Sequence, residues 1–285
     1  MPTFASYDGT MLAYHRRGDG PPLVCLAGGP AQPSRYLGDL GGLTAGRALL
    51  LLDSRGSGDS AVPADEASYR CDRIVDDVEA FRVHLGLDRM DLLAHSAGAS
   101  VALLYATRFA HRLRRLVLVT PSLRLLLAAP VGMAEAHARR AHEPWHADAT
   151  AAMDACGEAL RRGAGDAEIA PLRLAAAPFL YGTWTERARA HAAAQEDGRS
   201  VAAAAGFYAG VDVDRDALSA ALAGVTTPTL IVAGALDAAP SPEAVGLLAG
   251  MLPNAELVTL PASSHNPYVD EPEAFAAAVQ RFLAG

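Results

Sequence analysis

Six short strand-like runs, separated by amphipathic stretches long enough to cross back over a sheet, constrain this chain more than any other feature. They are Leu23–Ala27, Ala48–Leu52, Met90–Ala94, Leu116–Thr120, Thr229–Ala233 and Glu256–Leu260. Ala48–Leu52 is apolar on both faces and therefore central. Between them, Cys71–Leu85 places Ile74, Val75, Val78, Phe81, Arg82 and Leu85 near helical spacing, and Gly98–Phe109, Pro242–Met251 and Pro272–Leu283 read as further helices. Strands that return through helices form a mostly parallel sheet with right-handed crossovers. From residue 122 to 223 the rhythm changes to alanine-rich, charge-studded segments with few β-branched runs, which predict helices over about 131–140, 150–162, 185–197 and 200–210. The expected class is α/β: residues 1–121 and 224–285 form the sheet and its flanking helices, and 122–223 form an inserted helical cap.

Composition narrows the chemistry. Of the 285 residues 51% are hydrophobic, enough for one large core, and the 24 basic residues are all arginine. Without lysine, a Schiff-base enzyme, a pyridoxal phosphate enzyme anchored in the usual way, a Ser-Lys hydrolase and a P-loop nucleotidase are excluded. A net charge of −8 opposes binding to nucleic acid or anionic lipid. Cys25, Cys71 and Cys156 have neither disulfide-framework nor zinc spacing, which suits a reducing compartment. Met1–Thr10 lacks a basic-then-apolar pattern, and no apolar stretch reaches the roughly 18 residues of a membrane span. A cytoplasmic protein without a membrane or nucleic-acid partner is expected, and nothing predicts its oligomeric state.

Ala94-His95-Ser96-Ala97-Gly98 joins a strand to a helix. A nucleophile placed on so sharp a turn needs small residues two positions before and after it, and Ala94 and Gly98 meet that need. Gly28-Gly29-Pro30 ends an early strand and lets the backbone approach a substrate oxygen, so the Gly29 and Ala97 amides are the candidate oxyanion hole. Asp237 and His265 each follow a later strand. The order Ser96, Asp237, His265, each at the carboxyl end of a different strand, predicts a catalytic triad, with His265 as general base and Asp237 orienting it. Asp212, Asp214 and Asp216 are rivals for the carboxylate and are read as decoration of the exposed cap end. His95, adjacent to the serine on the turn, points away from it and is structural or pocket-lining.

Those residues, with Asp53-Ser54-Arg55-Gly56-Ser57-Gly58-Asp59-Ser60, resemble the α/β-hydrolase superfamily and, within it, the proline-iminopeptidase-like serine hydrolases. That group has an Asp-x-Arg-Gly-x-Gly-x-Ser loop, a His-Gly-Gly-Pro loop whose histidine is Ala27 here, and a His-Phe-Pro-Trp segment similar to His265-Asn266-Pro267-Tyr268. The resemblance implies the α/β-hydrolase fold, no cofactor, and hydrolysis of a small amide through an acyl-enzyme. Peptidases of the group hold the substrate's free amine with cap glutamates. In the comparable segment Ala204-Ala205-Gly206-Phe207-Tyr208 that acid is missing, leaving Glu186 and Glu196 as substitutes.

His142-Glu143-Pro144-Trp145-His146 fits the H-E-x-x-H zinc pattern, but Pro144 breaks the helix that pattern needs, so no metal is expected and Trp145 is read as facing the pocket. Gly28, Trp145, Trp184, Glu186, Glu196 and Tyr208 are the candidate substrate contacts. Arg55 is expected to order its own loop. The function expected is serine hydrolysis of a small-molecule amide or ester, an aminoacyl amide being favoured by the resemblance. An ester or lactone hydrolase, a natural-product tailoring hydrolase or acyltransferase, and a non-catalytic binding module are the alternatives.

Overall fold

All six runs lie side by side in one eight-stranded sheet, seen in a computed structural model that describes residues 1–285. The strands are β1 (Thr3–Ala5), β2 (Met11–Arg17), β3 (Pro22–Leu26), β4 (Ala48–Leu52), β5 (Met90–His95), β6 (Leu113–Val119), β7 (Thr229–Gly234) and β8 (Ala255–Leu260), in spatial order β1-β2-β4-β3-β5-β6-β7-β8. From β4 to β8 every neighbouring pair is parallel. β1 and β2 add an antiparallel hairpin at one edge that the sequence pattern did not predict. Its β2 strand runs from two buried residues into exposed Arg16 and Arg17, so it lacks the uniform apolar signal of the central strands.

Successive residues of a strand face opposite sides of the sheet, and here both sides are covered. Val24, Leu26, Leu50, Leu92, Leu116 and Ile231 pack beneath α1 (Cys71–His84), α2 (Gly98–Phe109), and two later helices, α8 (Arg215–Ala223) and α9 (Pro242–Met251). Their neighbours Leu23, Cys25, Leu49, Leu51, Val117 and Val232 form a second apolar layer with α11 (Pro272–Ala284). Burial of each such leucine or valine stabilises the sheet by about 1.5–3 kcal/mol relative to exposure.

Between β6 and α8 lie α3 (Met133–Arg139), α4 (His146–Arg161), α5 (Asp166–Ala176), α6 (Glu186–Glu196) and α7 (Val201–Gly206). α5 was not foreseen: Pro171 stands inside it, and Ile169 is its one buried residue, so the apolar periodicity is faint. α8 was also unpredicted. Asp214, read as exposed decoration, is its N-cap, accepting hydrogen bonds from the amides of Asp216 and Ala217, while Leu218 and Leu222 enter the sheet's core. The short helix α10 (Pro267–Asp270) follows His265. No helix is long and apolar enough to cross a membrane.

Candidate active site

The loop after β5 is a tight elbow. Ser96 has φ +51°, a left-handed conformation that non-glycine residues rarely adopt, and its amide donates to the carbonyl of Val119 at the end of β6 (3.0 Å). Small neighbours are a steric requirement. A Cβ on Gly28 would come within 2.7 Å of the Ser96 Cβ, and one on Gly98 within 2.5 Å of the Ala27 carbonyl oxygen. The serine is thus held between β5, the Gly28-Gly29 turn and the first residue of α2.

His265 reaches the serine from the loop after β8. Its Nε2 is 2.8 Å from Ser96 Oγ and its Nδ1 is 2.8 Å from Asp237 Oδ2. Asp237 is buried and its other oxygen accepts the Ala239 amide (2.9 Å), which fixes the carboxylate. The amides of Gly29 and Ala97 have no acceptor within the protein, whereas the Gly28 amide donates to the Tyr36 hydroxyl at 2.7 Å. Two unpaired N–H groups therefore flank a serine that faces an imidazole.

Behind this line runs a buried relay that sequence reasoning missed. The Tyr36 hydroxyl lies 2.6 Å from His95 Nδ1, and His95 Nε2 lies 2.9 Å from the carbonyl oxygen of His265. A carbonyl can only accept, so Nε2 carries the proton, Nδ1 accepts from Tyr36, and the ring is neutral. Burial, then the nearby His265, pulls the His95 pKa well below the usual histidine value. Thr120 Oγ1 donates to the same His265 carbonyl (2.9 Å). Tyr36 and His95 thereby tie the Gly28 loop to the His265 loop. A buried tyrosine and histidine 59 positions apart leave no local trace in the sequence.

The helices between β6 and α8 hold the His265 loop from the other side. The Leu180 carbonyl accepts the His265 amide (3.1 Å) and Asn266 Nδ2 (3.1 Å), and Gln195 Nε2 donates to Asn266 Oδ1 (2.9 Å). Asp270 accepts the amides of Ser264 and Gly182 (2.9 Å each), and its burial pushes its pKa up to about 6.

A cavity of about 460 Å³ opens over Ser96 and His265. Its walls include Met133, Met153, Leu160, Leu174, Phe179 and Leu180, and one end carries Arg173, Glu196 and Arg199. Of the candidate residues, Ser96, Asp237, His265, Gly29 and Glu196 line it, and Ala97 adjoins Ser96. The others are not brought to its wall. Gly28 lies buried behind Gly29. Trp145 stacks under Arg140 and edge-on to Phe179, backing the wall rather than forming it. Trp184 packs against Tyr181 and Arg189. The Tyr208 hydroxyl bonds Ser100 and Ser122. Glu186 is exposed in the first turn of α6, where it complements the helix dipole.

His142 and His146 do not share a helix. His142 sits in a turn, with Nδ1 3.1 Å from the Arg139 carbonyl, and His146 is the first residue of α4. Arg55 is fully buried and bonded to the carboxylates of Asp77 and Asp8, while Asp53 gathers the amides of Ser34 and Asp59. Arg55 thus ties the loop to α1 and the β1–β2 turn rather than ordering its own backbone as expected, and Asp53 does that ordering.

A mostly parallel sheet with its polar residues gathered at the strand ends, beneath a layer of helices, defines an α/β hydrolase. The alpha/beta hydrolase fold family model matches residues 21–272, and the chain belongs to that family; it is a hydrolase. It is proline iminopeptidase-like: it shares 25% identity over 281 residues with the proline iminopeptidase of Heyndrickxia coagulans, covering 95% of this chain and 93% of the relative. An esterase from Exiguobacterium antarcticum superposes with a TM-score of 0.77 at 20% identity, over 99% of each chain. A hydrolase from Pseudomonas aeruginosa gives a TM-score of 0.73 at 27% identity, over 100% of this chain and 98% of that one.

Proposed function

We propose that the protein is a cofactor-independent serine hydrolase that cleaves a small carboxylic ester or amide beneath a cap formed within residues 122–223. The observation that carries this is the continuous line Ser96 Oγ, His265 Nε2, His265 Nδ1, Asp237 Oδ2, with 2.8 Å at both hydrogen bonds. Ser96 Oγ attacks the substrate carbonyl carbon as His265 Nε2 takes its proton, and Asp237 stabilises the resulting imidazolium. The carbonyl oxygen, now an anion, receives the Gly29 and Ala97 N–H groups. Each such donor contributes about 10²–10³ in rate. Collapse of the tetrahedral intermediate breaks the bond to the alcohol or amine, which leaves with the proton from His265. Water, deprotonated by the same imidazole, then cleaves the acyl-enzyme and frees the acid and Ser96.

An aminoacyl amide is the second reading, supported by the relatives described as proline iminopeptidases. It requires a carboxylate for the substrate's ammonium, and Glu196, the glutamate on the cavity wall, is already bonded to Arg173 (2.7 Å). A fluorophosphonate probe tests the serine hydrolase assignment: one covalent adduct on the wild-type protein and none on Ser96→Ala is expected. A folded wild-type protein that remains unlabelled overturns it.

A further inference from the structure

The charged end of the cavity points to a substrate class. Arg173, Glu196 and Arg199 come from α5, the end of α6 and the residue just before the N-cap of α7, so they meet only in the folded chain. All three side chains are largely buried, at 16%, 18% and 14% exposure. Glu196 Oε2 accepts from Arg173 Nε at 2.7 Å, and Arg173 Nη2 also donates to Asp166 at 2.6 Å. Arg199 has only a long ion pair, to the same glutamate. Its Nη1 stands 3.7 Å from Glu196 Oε1, beyond hydrogen-bond reach, and its Nη2 donates to the carbonyl of Gly29 at 3.0 Å. Two cations thus share one anion on the wall. The further partner, Asp166, is 41% exposed and largely screened by water, and Asp237 is committed to His265. Only Nη2 of Arg199 makes a hydrogen bond within the protein, and because no fully buried side-chain nitrogen lacks a partner, its other donors open onto the cavity; burial, then the neighbouring Arg173, draws the Arg199 pKa below the ordinary arginine value.

From this we infer that Arg199 receives a carboxylate carried by the acyl group of the substrate, making half-esters or half-amides of short dicarboxylic acids the preferred class. The inference rests on the serine hydrolase reading for its chemistry and on the cavity for its specificity. Arg199 grips the carbonyl of Gly29, the residue whose amide flanks Ser96, so a carboxylate paired to it lies a few bonds from the scissile carbonyl. Apolar walls at Met153, Leu174 and Phe179 accommodate the methylenes between the two ends. The planar fork of arginine suits a carboxylate, whereas an ammonium would meet the excess positive charge.

The test compares mono-4-nitrophenyl esters of glutaric and adipic acid with their neutral methyl 4-nitrophenyl counterparts, after subtraction of spontaneous hydrolysis. A wild-type preference for the anionic ester of about 10-fold or more in kcat/KM is expected, and Arg199→Gln should lose about 10- to 100-fold more on the half-ester than on the methyl ester, mainly in KM. Arg199→Lys should recover part of that difference. Equal wild-type rates on the two esters, or an Arg199→Gln loss that falls equally on both, overturns the inference, the latter because it marks the arginine as a mere anchor for Gly29. Fluorophosphonate labelling of the same samples shows whether the serine hydrolase reading has failed instead. Calorimetric titration of the Ser96→Ala protein with glutarate reads the arginine without any chemistry: binding that weakens when Arg199→Gln is added supports the inference, and absence of binding overturns it.

Discussion

The loops at the strand ends and the helices α3–α7 build the two sides of one cavity by different kinds of bond. On the strand side, two of the three proposed triad residues are set by a short stretch of chain: the φ of Ser96 by its turn, and the Asp237 carboxylate by the Ala239 amide two residues on; only His265 is held by distant residues, Leu180, His95 and Thr120. On the helical side, long side chains from separate helices pair with one another, as Arg173 does with Glu196, and backbone carbonyls such as Leu180 are lent to the neighbouring loop. The proposed reactive centre is therefore local at Ser96 and Asp237, with His265 as its tertiary member, and the recognition end is tertiary throughout. A substitution on the first side should act on rate, and one on the second on choice of substrate.

The largest expected effect breaks the strand side outright. Ser96→Ala should lower kcat by about 10⁴-fold or more while leaving thermal unfolding within a few degrees of wild type, because the proposed nucleophile is removed without disturbing a core contact. Steady-state kinetics on an activated ester, with calorimetry as the control, checks both. Retention of more than a tenth of wild-type activity would move the chemistry elsewhere in the cavity.

A smaller effect tests whether the relay behind the serine is part of that side. Tyr36→Phe removes one hydroxyl and leaves the Gly28 N–H and His95 Nδ1 unpaired in the interior. An expected loss of about 1–3 kcal/mol in stability accompanies this. Loosening of the Gly29 loop against His265 should lower kcat on the order of 10- to 100-fold with little change in KM. A loss confined to stability would make Tyr36 and His95 packing residues only.

How much of this was legible in the sequence follows the same division. The six runs fall on the six strands from β3 to β8, and the Ser96, Asp237, His265 order was readable because each residue lies in the loop after a strand that announces itself by composition. The β1–β2 hairpin, α5 and α8 escaped because their burial is partial or interrupted: Pro171 sits inside α5, and α8 buries only Leu218 and Leu222. Arg199 and Tyr36 carried no signal at all, since their partners Gly29 and His95 lie far away along the chain. Glu196 was singled out as an acid free to hold an amine; its bond to Arg173 on another helix could not be read from one helix's sequence.

Acid should stress both sides together. His191, from α6, repeats the pattern of His95: its Nδ1 lies 2.8 Å from the Tyr181 hydroxyl and its Nε2 3.0 Å from the Tyr36 carbonyl, and burial pulls its pKa down to about 4. A histidine depressed in the folded state stabilises fully above its unfolded pKa near 6.5, and that contribution is lost as pH falls through 4. For His191 the full contribution is about 3 kcal/mol, and His95 acts in the same direction. Asp270 opposes them, since a carboxyl raised to about 6 contributes stability that is present at low pH and lost as pH rises through 6. Urea unfolding at pH 7 and pH 4.5 should show a net fall in stability on acidification, flattened by His191→Gln and steepened by Asp270→Asn. A flat wild-type profile would contradict the neutral, buried state of the two imidazoles.

The smallest effect expected discriminates most sharply between the two substrate readings. Glu186 was a candidate for holding a substrate amine, yet it is exposed at the start of α6 and lies off the wall of the cavity over Ser96. A carboxylate in that position interacts with its own helix terminus, and its neutralisation should cost no more than about 0.3–1 kcal/mol. Glu186→Gln is therefore expected to keep kcat/KM within about twofold of wild type on esters and on aminoacyl amides alike, a change of only about 0.4 kcal/mol in barrier. Measured on prolyl and alanyl 2-naphthylamides beside a neutral ester, a loss of 10-fold or more restricted to the amides would make this exposed helix end part of a substrate site. It would then be this exposed end of α6, and not the wall charges around Arg199, that selects the substrate. Equal, near-wild-type rates leave the wall charges of Arg173, Glu196 and Arg199 as the groups that set specificity.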